Sequence, residues 1–133
     1  MGRKYILDSN VVIDYMAGQY PRKTLTWLNK TINQEIIVSV ISKIEVLSYD
    51  PGKGDNYEVL VEFFEAANIL DLTDSVVRKT IEIRQKNRIK LPDAVIAATA
   101  IVNNLVLVTR NVRDFQKIDD LILINPMGLP NKS

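Results

Sequence analysis

Leu91-Pro-Asp-Ala-Val-Ile-Ala-Ala-Thr-Ala-Ile-Val-Asn-Asn-Leu-Val-Leu-Val-Thr109 reads as a helix followed at once by a strand, both apolar almost throughout. From Pro92 to Asn103 the helical pattern leaves no broad polar face, so this helix is expected to be buried on most sides. Leu105 to Val108 shows no polar alternation, as strands of central parallel sheets do not. Working outward, the same alternation recurs. Strands are expected at Lys4–Leu7, Ile36–Val40, Ile69–Leu72 and Leu121–Ile124. Helical patterns cover Val11–Met16, Pro21–Thr31 with Leu25 and Leu28 inward, Ser42–Ser48, Tyr57–Ala67, Asp74–Lys86 and Asn111–Gln116. In Tyr57–Ala67 the apolar residues Leu60, Phe63, Phe64 and Ala67 follow helical spacing, and in Asp74–Lys86 Val77, Ile81 and Arg84 share related phases. A dense cluster of breakers, Tyr49-Asp-Pro-Gly-Lys-Gly54, closes the third helix. Strands separated by helices argue for an α/β fold whose parallel sheet, here of about five strands, is covered on both faces.

With 133 residues the chain is one domain's worth, 1–133, and 47% hydrophobic with 25% charged residues is a globular composition. Lys plus Arg is 17 and Asp plus Glu is 16, a net charge of +1 that excludes a polybasic nucleic-acid coat but not a local basic patch. The absence of Cys and of His excludes disulfides, thiolate nucleophiles, imidazole bases and His- or Cys-ligated metals. Catalysis, if present, must use carboxylates, amines, hydroxyls, backbone amides or an oxygen-seeking metal such as Mg²⁺, Mn²⁺ or Ca²⁺. No targeting segment and no membrane-length apolar run is read, so the expected location is cytoplasmic.

In a parallel sheet, functional groups gather at the carboxyl ends of the strands. Asp8 follows the first strand, Glu45 lies in the first turn after the second, Asp93 opens the buried helix, and Asp114 lies in the turn after the fourth strand. Each also has a purely local explanation. Ser42-Lys-Ile-Glu45 has capping-box spacing, Pro92-Asp93 suits a helix start, and Asp8 and Asn111–Asp114 fit turn caps. Convergence would change the balance. Two carboxylates about 5 Å apart repel by roughly 3 kcal/mol at an effective dielectric of 20, whereas a helix N-terminus offsets only about 0.3–1 kcal/mol per charge. A divalent cation, or a raised pKa, would then be required.

Lys4-Tyr-Ile-Leu-Asp8-Ser-Asn10, Ser39-Val-Ile-Ser42-Lys-Ile-Glu45-Val, Leu91-Pro-Asp93-Ala-Val-Ile-Ala97 and Leu107-Val-Thr109-Arg-Asn111-Val-Arg-Asp114-Phe resemble the motifs of the PIN-domain family, in this order. More narrowly, the chain is similar to the VapC toxins of toxin–antitoxin pairs, from Lys4 to about Pro126. The resemblance implies a three-layer α/β/α fold and a Mg²⁺- or Mn²⁺-dependent endoribonuclease leaving 5′-phosphate and 3′-hydroxyl ends. It assigns the family's acidic positions to Asp8, Glu45, Asp93 and Asp114, and the accompanying hydroxyl to Thr109. On that basis Asp8, Asp93 and Asp114 are the expected metal positions, and Glu45 orients or deprotonates the attacking water. Asn10 orients Asp8 or favours the turn, and with Arg88, Lys90, Arg110 and Arg113 it is a candidate for RNA contact. The cations flank two of the acids, where they would position phosphate. Tyr15, Trp27, Phe63 and Phe64 are expected to pack rather than to stack on bases, a role left to Tyr49. The expected partners are an RNA, a small VapB-like antitoxin whose arm covers the cleft, and a second copy bound through helices of the N-terminal half. Two other readings are open: a Mg²⁺-dependent phospho-acceptor or phosphatase α/β domain, which also uses Asp at strand ends, and a non-catalytic PIN-like interaction domain on the same scaffold.

Overall fold

Tyr5–Leu7 (β1) runs parallel to Val106–Val108 (β4), which runs parallel to Leu123–Ile124 (β5). A second parallel pair joins Ile37–Ser39 (β2) to Asn68–Leu70 (β3). The computed structural model describes residues 2–49 and 57–129, and the breaker-rich segment after Tyr49 lies outside them. The helices are Ser9–Met16 (α1), Arg22–Gln34 (α2), Val40–Tyr49 (α3), Tyr57–Glu65 (α4), Asp74–Lys86 (α5), Leu91–Val102 (α6) and Val112–Phe115 (α7), with a 3₁₀ turn at Pro126–Gly128. None of them is long and apolar enough to cross a membrane.

All the strand pairings are parallel, as expected, but one continuous five-stranded sheet is not formed. The strands make a three-stranded ladder, β1-β4-β5, and a two-stranded ladder, β2-β3. β1 and β2 lie side by side without ladder bonds between them. Strands of two or three residues offer few bonds each, and β2 passes directly into α3 at Val40, so little backbone is left to bridge the seam.

Side-chain alternation along these strands builds the layers. Ile6, Ile37 and Leu107 point to a core shared with α5, α6 and α7, through Val76, Ile83, Ala94–Ala98, Ala100 and Phe115. Leu7, Val38 and Val108 point the other way, to Val11, Val12, Leu28, Val46, Leu60, Phe63 and Phe64 of α1 to α4. The outcome is the three-layer α/β/α arrangement. Residues 94–100 of α6 are buried without exception, and four of those seven are Ala, which lets neighbouring backbones approach closely.

Two local expectations are corrected. In α5 the inward face is Val76, Thr80 and Ile83, while Val77 (38% exposed), Ile81 (52%) and Arg84 face solvent. The helix carries two adjacent apolar stripes, and packing against α6 selected the one that contains Thr80, whose hydroxyl is satisfied on the Val76 carbonyl at 2.7 Å. In α3 the helix begins at Val40, not Ser42, and the Ser39 hydroxyl accepts from the Ile41 amide at 3.0 Å. Ser42 is therefore buried inside the helix and Glu45 lies in its second turn, so the capping-box explanation of that pair fails. In α2, Leu28 is buried and Leu25 half-buried, and the aromatic residues pack: Tyr5 meets Trp27 edge-on at 5.1 Å and Phe63 meets Phe64 at 5.4 Å.

Candidate metal centre

Asp8 leaves β1 as the N-cap of α1 and is 4% exposed. Burial of a carboxylate demands donors, and it has three. The Ser9 amide donates to Oδ1 at 2.8 Å, and the Thr109 hydroxyl (2.7 Å) and Asn10 Nδ2 (3.2 Å) donate to Oδ2. Capping and site formation thus coincide in one side chain. Burial pushes the Asp8 carboxyl above its ordinary range, the donors from Thr109, Ser9 and Asn10 pull it back, and Glu45 raises it further.

Thr109, fully buried at the end of β4, also accepts from the Asn111 amide at 3.0 Å and from Asn10 Nδ2 at 3.3 Å. Its proton is committed to Asp8, which makes it a positioning residue for that carboxylate. Glu45 is exposed and comes from α3. The Ser9 hydroxyl donates to its Oε1 at 2.6 Å and lies 3.1 Å from the buried Ser42 hydroxyl. Ser9 therefore sits between two acids, its amide on Asp8 and its hydroxyl on Glu45. Sequence reading makes Ser42 a helix cap and gives neither Ser9 nor Ser42 a place in the site; a hydroxyl next to the first acid is the signal that marks Ser9.

Asp93 is the third residue of α6, with Pro92 the second. Its carboxyl is raised from 3.8 to about 6, first by burial and then by Asp8, Glu45 and Asp114, with Lys90 opposing. The four predicted acids, from the N-cap of α1 and from α3, α6 and α7, thus lie near enough for Asp8, Glu45 and Asp114 to bear on the Asp93 carboxyl. Asp114 is exposed and accepts from Asn111 Nδ2 at 3.1 Å. Asp93 and Asp114 line a cavity of about 410 Å³ with Arg84, Arg88 and Lys90. Arg84, Arg88 and Ile89 also line a larger open groove of about 730 Å³ beside α5.

The donor set is entirely oxygen and carries net negative charge, the chemistry of a hard dication. Among the described residues no three acids are close enough to form a ready-made cage. Mg²⁺ does not need one, because it keeps several waters and takes one or two carboxylates together with substrate phosphate. The residues present fit the ion.

The cations around the acids, the four expected ones with Lys86 and Lys117, divide into two kinds. Arg88, Lys90 and Arg113 are exposed. Arg110 is already engaged, its guanidinium on Asp14 and its amide on Asn10 Oδ1 at 3.3 Å. Lys117 donates to the Arg88 carbonyl at 2.5 Å, and Lys86 pairs with Glu82 at 3.6 Å.

A family model of the PIN domain matches residues 5–121. The chain is 31% identical over 132 residues to Ribonuclease VapC2 of Rickettsia felis, covering 91% of this chain and 96% of that protein. It is similar to the crystal structure of VapBC2 from Rickettsia felis bound to a DNA fragment from their promoter, with a TM-score of 0.74, 26% identity and coverage of 91% and 97%. It is likewise similar to the structure of FitAcB from Neisseria gonorrhoeae, with a TM-score of 0.75, 26% identity and coverage of 94% and 99%.

Proposed function

The chain belongs to the PIN-domain family, in its VapC branch, and from that premise we propose that it is a Mg²⁺- or Mn²⁺-dependent endoribonuclease, the toxin of a VapBC-type pair. One observation carries the reading: Ser9 bonds both Asp8 and Glu45 while Asp93 and Asp114 line one cavity, and the charges of Asp8, Glu45 and Asp114 push the Asp93 carboxyl up. A fold that only needed helix caps would have no reason to bring them together, because each added charge raises the cost of the last.

Asp8 and Asp93 would hold the ion directly or through water, and Asp114 would complete its outer shell or a second metal position. When bound, a hard dication supplies an acidified water and stabilises charge on the phosphoryl and leaving oxygens. Around it the chain's own groups have separable tasks. Thr109, Asn10 and the Ser9 amide fix the Asp8 carboxylate so that its lone pairs are aimed before substrate arrives. Glu45, exposed and held by the Ser9 hydroxyl, receives the proton of the attacking water. Arg88, Lys90 and Arg113 bind backbone phosphates, which an acidic cleft alone would repel. The groove beside α5, reached through Arg84 and Arg88, gives single-stranded RNA a track that leads to Asp93.

The same reading includes a VapB-like antitoxin whose arm enters the cleft with an Arg or Lys, a homodimer through the N-terminal helices, where Ile44 and Tyr49 of α3 are 57% and 75% exposed, and action in the cytoplasm. The test is RNA cleavage by metal-stripped protein with and without added Mn²⁺. Cleavage should require the ion and fall at least about 100-fold in Asp8→Asn, as loss of a metal-organised transition state demands. Equal cleavage in the presence of chelator, or in Asp8→Asn, overturns the proposal.

A further inference from the structure

We propose that Asp14 and Arg110 form a positioning pair that stations Thr109 and Asn10 against the Asp8 carboxylate, so that Asp14 belongs to the working parts of the site. Asn10 and Asp14 lie four residues apart on α1 and so share one face of that helix. Arg110 meets both. Its amide donates to Asn10 Oδ1 at 3.3 Å, and its guanidinium pairs with the Asp14 carboxylate. The peptide that follows Thr109 is thereby fastened to α1 at two points, one through main chain and one through side chain.

The consequence reaches Asp8 directly. Asn10 donates to Asp8 Oδ2 and to Thr109 Oγ1, and Thr109 donates to the same Asp8 oxygen. Thr109 and Asp8 come from different strands, so the angle between them depends on how the chain leaves β4. The Asp14 side chain is only 16% exposed, against 49% for Arg110, which places the pair partly out of water, where it is screened less than a surface pair. Asp14 is itself fixed from behind: the hydroxyl of Tyr20, a residue 7% exposed, donates to its Oδ2 at 3.3 Å. The chain Tyr20–Asp14–Arg110–Asn10–Asp8 thus runs without a gap from the core to the metal-facing carboxylate. The competing role for Arg110 is contact with an RNA phosphate.

This inference rests on the nuclease reading for its kinetic arm only. Asp14→Asn keeps an acceptor for the Tyr20 hydroxyl and removes the charge; Arg110→Met keeps an unbranched apolar stem and removes the guanidinium. With a short single-stranded RNA and Mn²⁺, each variant should lower kcat about tenfold or more with KM within about twofold. The double variant should be no more than about threefold worse than the slower single one, because both remove the same link. In the metal-free, RNA-free protein, NMR amide exchange at Arg110 should accelerate about tenfold in Asp14→Asn, with exchange in β4 unchanged. An unaltered kcat in Asp14→Asn, or a raised KM in Arg110→Met with additive losses in the double variant, overturns the pair in favour of phosphate contact. If the parent chain cleaves no RNA, the nuclease reading fails and the exchange arm still decides: acceleration at Arg110 supports the pair, and unchanged exchange refutes it.

Discussion

Asp93 carries the clearest trade between stability and function. Its carboxyl titrates near 6 in the fold against 3.8 for the ordinary group, so between those values the folded chain holds a proton that the unfolded chain has lost. The stability this contributes is full below about pH 4 and is lost as pH rises through about 6. Asp93→Asn should therefore stabilise the metal-free chain at pH 7–8, by about 1 kcal/mol once partial exposure is discounted, and flatten the fall in Tm between pH 4 and 6 while abolishing RNA cleavage. Thermal melts in chelator across that range check it, and a Tm at pH 8 below that of the parent chain contradicts it. Thr109 tests the opposite case. Thr109→Val keeps the shape but strips a buried carboxylate of its shortest donor, so it should cost about 1–3 kcal/mol in urea unfolding and lower the cleavage rate, whereas Thr109→Ser should keep most of both.

At the scale of the element, α5 shows how a helix with two apolar stripes is oriented by its neighbour. Val76 is 1% exposed and Val77 is 38% exposed, yet they are adjacent and chemically identical. Val76→Ala should cost about 2 kcal/mol and Val77→Ala under about 0.5 kcal/mol, measured as shifts in the urea midpoint at constant slope. Equal losses would mean that the helix is rotated from this position. The phase was not legible locally, because Thr80, the residue that accompanies Val76 and Ile83 inward, is polar and becomes acceptable only after its hydroxyl bonds to the turn before it. α6 is the contrary case. Its all-round apolar character admits a single placement, between the sheet and its helical neighbours, and the structure buries it so.

For the whole molecule the test is linkage. An ion that binds the folded chain and not the unfolded one stabilises by RT ln(1 + [L]/Kd), about 2.7 kcal/mol at a hundredfold excess over Kd. Mn²⁺ should raise the Tm of the parent chain, and the rise should vanish in Asp8→Asn and in Asp93→Asn. A rise that survives in both variants would put the ion elsewhere. On the proposed reading, the repulsion that raises the Asp93 carboxyl would be the physical source of the effect, since an ion could relieve it only once the fold has formed.

The sequence by itself determined the succession of strands and helices, the all-round apolar character of α6, the absence of His and Cys chemistry, and the four candidate acids, because each of these depends on side-chain type and short-range spacing. Only the tertiary structure decided that Ser9 would join Asp8 to Glu45, that Arg110 would turn back onto Asp14, that α5 would bury Val76 rather than Val77, and that the five strands would form two ladders. Those outcomes depend on contacts between segments as far as about a hundred residues apart in the chain, such as Thr109 with Asp8. A local pattern carries no information about which distant partner will satisfy a polar group, and burial makes that partner obligatory.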